Sequence, residues 1–232
     1  MLLAFTAGSV NATAFLACER FVAHVTGIVT RVGMDAGAWT LLLDSAFVLA
    51  CFVIGATVAT VLVKRGAPEL ASERAWLPLG LVTAILATVA LAGQLGWFGP
   101  FGGAVESPRD FALLSILALA MGAQNAAAAL RSGMAVRTTH MTGPSTDLAI
   151  GIGTMLTSSG PGRREPLAGI VMRGAKIAAF AGGAAATVPI ALHAGFAAFA
   201  LPAFTCAVAM LSSFVPIRLG SPLSRNTRQE IR

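Results

Sequence analysis

Two imidazoles, two carboxamides and a set of threonine hydroxyls recur in this chain in the same order. His24-Val25-Thr26-Gly27-Ile28-Val29-Thr30 returns as His140-Met141-Thr142-Gly143-Pro144-Ser145-Thr146, so H-x-T-G-x-x-T stands once in each half. Ahead of the copies lie Gly8-Ser9-Val10-Asn11 and Gly122-Ala123-Gln124-Asn125, with 13 residues from Asn to His in the first and 15 in the second. These groups are suited to hydrogen-bonding a small polar or anionic solute. They are poorly suited to covalent chemistry. No nucleophile–base pair is evident, Tyr is absent and the few carboxylates are scattered, so no enzyme activity is expected. Two histidines fill a zinc shell only if Glu19, Asp35 or Asp147 converges on them. Neither a metal nor a cofactor is expected.

The background around these groups is apolar. Of the 232 residues, 56% are hydrophobic and 11% charged, with a mean hydropathy of +0.79. A soluble domain carries about 25% charged residues, so less than half the usual supply is present. Apolar stretches of the length a bilayer core demands recur along nearly the whole chain, which marks an integral membrane protein with the lipid bilayer as its first partner. The net charge of +6 and pI near 10.6 do not point to nucleic acid. The cations cluster between apolar stretches and at the C-terminus, where topology and anionic lipid account for them. Cys18, Cys51 and Cys206 form no CxxC and read as buried small hydrophobes. Leu2 to Phe5 follow the start with no basic region or clear cleavage site, so no signal peptide is expected. The sequon Asn11-Ala12-Thr13 falls inside an apolar stretch.

Six spans are predicted: Leu2 to Val22, Trp39 to Val63, Trp76 to Leu95, Phe111 to Leu130, Ile170 to Leu192, and Gly195 to Val215. Only His193 and Ala194 separate the last two, which must form an antiparallel hairpin with His193 in a solvated turn. With the N-terminus cytoplasmic, that side receives Lys64, Arg65, Arg74, Arg131, Arg137, Arg163, Arg164, Arg173 and the tail arginines 218, 225, 228 and 232. Arg31 and Arg109 are left outside beside Asp35, Glu106 and Asp110. Such an asymmetry predicts both termini in the cytoplasm, with Lys176 snorkelling back to the cytoplasmic face. The organisation read from this is a first three-span repeat (1–95), an outer loop (96–110), a second three-span repeat (111–217) and a basic cytoplasmic tail (218–232). Three spans per half put the halves in opposite orientations, as in inverted-topology transporters.

Asn11 and Asn125 fall near mid-span, where an unpaired amide costs several kcal/mol, so each must meet a helix neighbour or a hydrated cavity. The plainer role is an interhelical hydrogen bond. Each His-x-Thr-Gly phrase reads as a helix end, a break at Gly27 or Gly143, and a short segment capped by Thr26 or Thr142 (about Ile28 to Asp35, and Pro144 to Met155). Thr139, just ahead of His140, belongs with these. The N–H groups of such a helix start attract anions. Asp44 and Glu19 are candidates for proton coupling, with Asp44 able to snorkel or to answer Arg20 or Arg31. Small residues such as Gly55-Ala56 and Gly182-Gly183 allow close helix packing and association into a homo-oligomer.

The same residues carry a resemblance. Gly8-Ser9-Val10-Asn11-Ala12, Phe21 to Gly27, Met121 to Asn125 and Arg137-Thr138-Thr139-His140-Met141-Thr142-Gly143 resemble the YoaK-like family of bacterial inner-membrane proteins, a family of unknown function, over nearly the full chain. The resemblance implies about six spans. It also implies an Asp where this chain has Asn11, an Asn where it has Ile28, and a polar leader ahead of the start, so that Met1 reads as a truncated beginning. The expected fold is an all-α membrane protein of about six helices in two inverted three-helix repeats. The expected function is a small secondary transporter or permease for a small polar or anionic solute. The alternative is a non-transporting membrane scaffold that binds partners.

Overall fold

The computed structural model describes residues 1–65, 74, 76–103, 107–134, 136–157 and 165–214. Pro68, Glu69, Glu73, Glu106, Arg163, Arg164 and the basic tail lie outside the described residues. The chain forms eight α-helices among these: α1 (Leu2–Cys18), α2 (Val25–Met34), α3 (Trp39–Lys64), α4 (Trp76–Gln94), α5 (Pro108–Arg131), α6 (Thr142–Thr157), α7 (Glu165–Ala194) and α8 (Ala200–Leu211). Short 3-10 turns at Asp35–Gly37, Gly195–Phe199 and Ser212–Phe214 complete them. Helix starts follow local chemistry. Ser107 caps α5 in a reciprocal box, its hydroxyl accepting from the Asp110 N–H at 3.4 Å while the Asp110 carboxylate accepts from the Ser107 N–H at 3.0 Å. Pro108 then occupies the first turn, where a missing N–H costs nothing.

Four apolar helical runs are long enough to cross a membrane: Trp39–Lys64, Trp76–Gln94, Pro108–Arg131 and Leu167–Phe214. The last spans 48 residues, about twice the need of one crossing, and Gly195 at φ +56 divides it between α7 and α8. Leu2–Cys18, at 17 residues, is a shorter apolar helix. The architecture is all-α and consistent with a membrane protein. Side chains such as Leu43, Phe47, Val53 and Val61 of α3 stand exposed, as expected of a helix whose outer face meets lipid. His193 lies within α7 and not in a free turn; its ring nitrogen is 2.7 Å from the Pro189 carbonyl.

Contacts at the helix ends fix directions. The Gly102 N–H donates to the Ala17 carbonyl at 3.1 Å, and Gln94 Nε2 to the Ala194 carbonyl at 2.6 Å. The last turns of α1, α4 and α7 therefore gather at one end of the bundle. At the other end Gln124 Nε2 donates to the Leu3 carbonyl at 2.9 Å, and Trp76 meets Phe214 at 5.7 Å between ring centroids. So α1, α4 and α7 run one way, and α5 and α8 run the other.

The most extensive helix pairs are α1 with α7 and α3 with α5, each taking one helix from either half of the sequence. Glycine permits both approaches. A Cβ on Gly8 would overlap the Phe180 carbonyl, and one on Gly183 the Phe5 carbonyl. In the other pair, a Cβ on Gly55 would overlap the Leu119 carbonyl and one on Gly122 the Phe52 carbonyl. Both pairs thus repeat one arrangement, in which each glycine meets the carbonyl three residues before the opposite glycine. Backbones this close are characteristic of small-residue contacts in membranes, with Cα–H groups facing carbonyl oxygens. Ser9 adds a hydroxyl bond to the Gly183 carbonyl at 2.9 Å.

Candidate functional site

Each half doubles the chain back along its first helix. Glu19, left-handed at φ 53, ends α1, and the following residues return until the Ala23 N–H donates to Asn11 Oδ1 at 3.0 Å. In the second half Gly133 and Met134, at φ 60 and 69, turn the chain after α5, and the Thr139 N–H donates to Asn125 Oδ1 at 3.4 Å. Seven residues of helix separate Asn11 from Cys18, so the return covers about 10 Å. The amides thus have a definite structural role, in which each satisfies the backbone N–H of the residue just before a motif histidine. α2 and α6 consequently begin about 10 Å inside the ends of α1 and α5, near the middle of α1 and about three-quarters of the way along α5.

The helix starts differ from the sequence expectation. Gly27 and Gly143 lie inside the first turns of α2 and α6, and the chain breaks come earlier, at Glu19 and at Gly133–Met134. His140 Nε2, in place of a threonine, accepts the Gly143 N–H at 3.1 Å. That bond requires a neutral ring with its proton on Nδ1. A Cβ on Gly143 would come within 2.9 Å of His140 Nε2, and one on Gly27 within 2.7 Å of His24 Nδ1. Glycine is therefore there to leave space for an imidazole folded over the first turn. His24 makes no corresponding cap bond. The final threonines of the motif bond back within their helices, Thr30 Oγ1 to the Thr26 carbonyl at 2.9 Å and Thr146 Oγ1 to the Thr142 carbonyl at 3.1 Å.

Both copies open onto one cavity of about 460 Å³. Its lining pairs off position by position: Asn11 with Asn125, His24 with His140, Thr26 with Thr142, Val25 with Met141, Ala23 with Thr139, Phe52 with Phe180, and Phe21 with Arg137. The first three pairs keep residue identity, as does the Phe pair from α3 and α7. Phe21 against Arg137 is the departure with the largest chemical consequence. No carboxylate among the described residues lines this cavity.

A family model described as "Protein of unknown function (DUF1275)" matches residues 1–212. The chain belongs to the DUF1275 family. The match is consistent with the resemblance to YoaK-like proteins, and it supplies no activity. No curated protein and no solved structure matches the chain.

Gly27, Glu19 and Asp44 line a neighbouring cavity of about 280 Å³ with Arg20, Arg31 and Asp35, and His24 and Phe21 border both cavities. Among the described residues Arg31 pairs with Asp35 at 3.9 Å, and Ser45 Oγ donates to the same carboxylate at 3.2 Å. Of the two arginines that Asp44 could answer, Arg31 is held by Asp35, one helical turn away. In the second half Arg173 pairs with Asp147 at 3.4 Å, joining α6 to α7. Gly143 sits beneath the His140 ring without lining either cavity.

Three features escape sequence reasoning. In the sequence Arg137 reads as a topology charge, Phe52 and Phe180 as undistinguished apolar residues, and Lys176 as a snorkelling cation. Lys176 instead turns inward, is nearly buried, and donates to the His140 carbonyl at 2.8 Å. Arg137 alone carries a signal, since it opens the R-T-T-H phrase. Cys18, Cys51 and Cys206 are free and buried. No group of three or more His, Cys, Asp or Glu that could hold a metal occurs among the described residues.

Proposed function

We propose that this DUF1275 protein is a small secondary transporter or permease for a small polar or anionic solute, without enzyme activity or a cofactor. It sits in the bacterial inner membrane with both termini cytoplasmic. Six spans, α1, α3, α4, α5, α7 and α8, cross the bilayer as two inverted repeats, while α2 and α6 are half-helices that re-enter the protein. The observation that carries this reading is the cavity lined by matching residues of both halves. A polar cavity at the junction of two repeats, reached by interrupted helices, is where inverted-repeat transporters bind their substrates. The opposed directions of α1 and α5 support the inversion, and non-helical backbone at membrane depth is tolerated where it lines such a cavity.

Thr26 and Thr142 line the cavity and are exposed, and the hydrogen bonds they accept from Thr30 and Thr146 run through their carbonyls, so they test the pathway without disturbing the frame. The double variant Thr26→Val/Thr142→Val, reconstituted in proteoliposomes and screened against a panel of labelled small anions and neutral polar solutes, is expected to lose most of the uptake shown by the wild type. Wild-type uptake by that variant would sink the pathway assignment.

A further inference from the structure

From the one pair of cavity positions that breaks the symmetry of charge, we infer that the solute is a small organic anion, a carboxylate carried on a compact apolar body; this rests on the transport reading above. Arg137 occupies one position and Phe21 the equivalent one. Phe21 stacks on Phe15 at 4.7 Å between ring centroids and meets His24 edge-on at 6.3 Å. Because α1 and α5 run oppositely, the segments bearing Phe21 and Arg137 enter from opposite ends of the bundle. The cavity is therefore cationic towards one end and aromatic towards the other.

Among the described residues no carboxylate lies within ion-pair distance of Arg137 or Lys176, the lysine that holds the His140 carbonyl. Phe52 and Phe180 add apolar walls between the two ends. A guanidinium matches a carboxylate in a forked geometry that a lysine does not reproduce. An organic body gains by burial against Phe21, Phe52 and Phe180, a gain that an inorganic anion does not share. A volume of about 460 Å³ admits a solute the size of benzoate with room to spare.

The test is binding and uptake of benzoate, with benzyl alcohol as its neutral counterpart and sulfate as an inorganic competitor, on the purified full chain and in proteoliposomes. Benzoate is expected to bind roughly ten- to a hundredfold more tightly than benzyl alcohol. Arg137→Gln is expected to abolish that preference and Arg137→Lys to restore it in part, with sulfate failing to displace benzoate. Arg137 is exposed, and the unfolding temperature of each variant confirms its fold. Equal binding of benzoate and benzyl alcohol, sulfate binding with benzoate inert, or a preference that survives Arg137→Gln would overturn the inference. Arg137-dependent benzoate binding without uptake would uphold the organic-anion site while removing transport. Uptake of another solute through Thr26 and Thr142, indifferent to Arg137, would uphold transport and remove the organic anion.

Discussion

At the scale of single residues, the acceptor oxygen is what Asn11 and Asn125 give the fold. Each receives the N–H just ahead of a motif histidine, at 3.0 and 3.4 Å. Leucine at position 11 would leave the Ala23 N–H buried without a partner, and Asn11→Leu is expected to lower stability by about 1–3 kcal/mol in detergent unfolding. Asn11→Asp keeps the acceptor and is expected to fold normally, which accommodates the Asp that the YoaK-like resemblance implies at this position. An equal loss in both variants would show that the oxygen is not what matters. The glycines of the motif make a second case. Gly143→Ala pushes the His140 ring off its cap and is expected to cost about 1 kcal/mol of stability. Gly27→Ala disturbs a ring that makes no cap bond and is expected to cost less. These residue types and their repetition are plain in the sequence. Their partners are not, because the bond from Ala23 to Asn11 exists only once the chain has doubled back, and Gly27 looks the same whether it breaks a helix or makes room for a ring.

At the scale of helices, the apolar runs were legible and their faces were not. Trp39–Lys64 is apolar all round, so periodicity cannot say which side meets α5 and which meets lipid. Gly182 and Gly183 look alike in sequence. In the structure a Cβ on Gly183 would overlap the Phe5 carbonyl, while one on Gly182 meets open space. Gly183→Ala is therefore expected to force α1 and α7 apart, with a loss of about 1–3 kcal/mol. Gly182→Ala is expected to be neutral or slightly stabilising, since alanine is the better helix former. Thermal unfolding of the two variants side by side checks this, and matching behaviour would argue against the close α1–α7 contact. Gly8, Gly55 and Gly122 belong with Gly183.

At the scale of the whole molecule, the most extensive helix contacts cross between the two halves read from the sequence. The strongest contacts join α1 to α7 and α5 to α3, while α2 packs on α3 and α6 on α7. α1 also meets α8, and α5 meets α4. A grouping that keeps the glycine contacts intact is α1 with α6–α8 and α2–α5, joined where α4 lies against α8. Rocking of one three-span half against the other would have to break the glycine contacts, so in the proposed transport cycle the moving bodies are these composites. They meet chiefly where α4 lies against α8, with Cys206 Sγ 3.5 Å from the Leu79 carbonyl. A disulfide formed with a membrane-permeant oxidant between Leu79→Cys and the native Cys206, both buried and out of reach of an impermeant reagent, is expected to arrest uptake until it is reduced. Undiminished uptake in the cross-linked protein would show that this seam does not move. Repetition in the sequence points to two related halves; which helix of one half grips the other depends on long-range packing that no local pattern encodes.

The claim that both motif copies serve one path is tested most directly by modifying them from within the cavity. Thr26→Cys and Thr142→Cys, each in proteoliposomes, would be treated with a membrane-impermeant thiol reagent applied to either side and then assayed for uptake of the same anion panel; the native cysteines are buried and serve as the unreactive background. Each variant is expected to transport before treatment and to fall to the level of empty liposomes after it. A fully labelled variant, at either position, that still transports like the wild type would contradict a shared path.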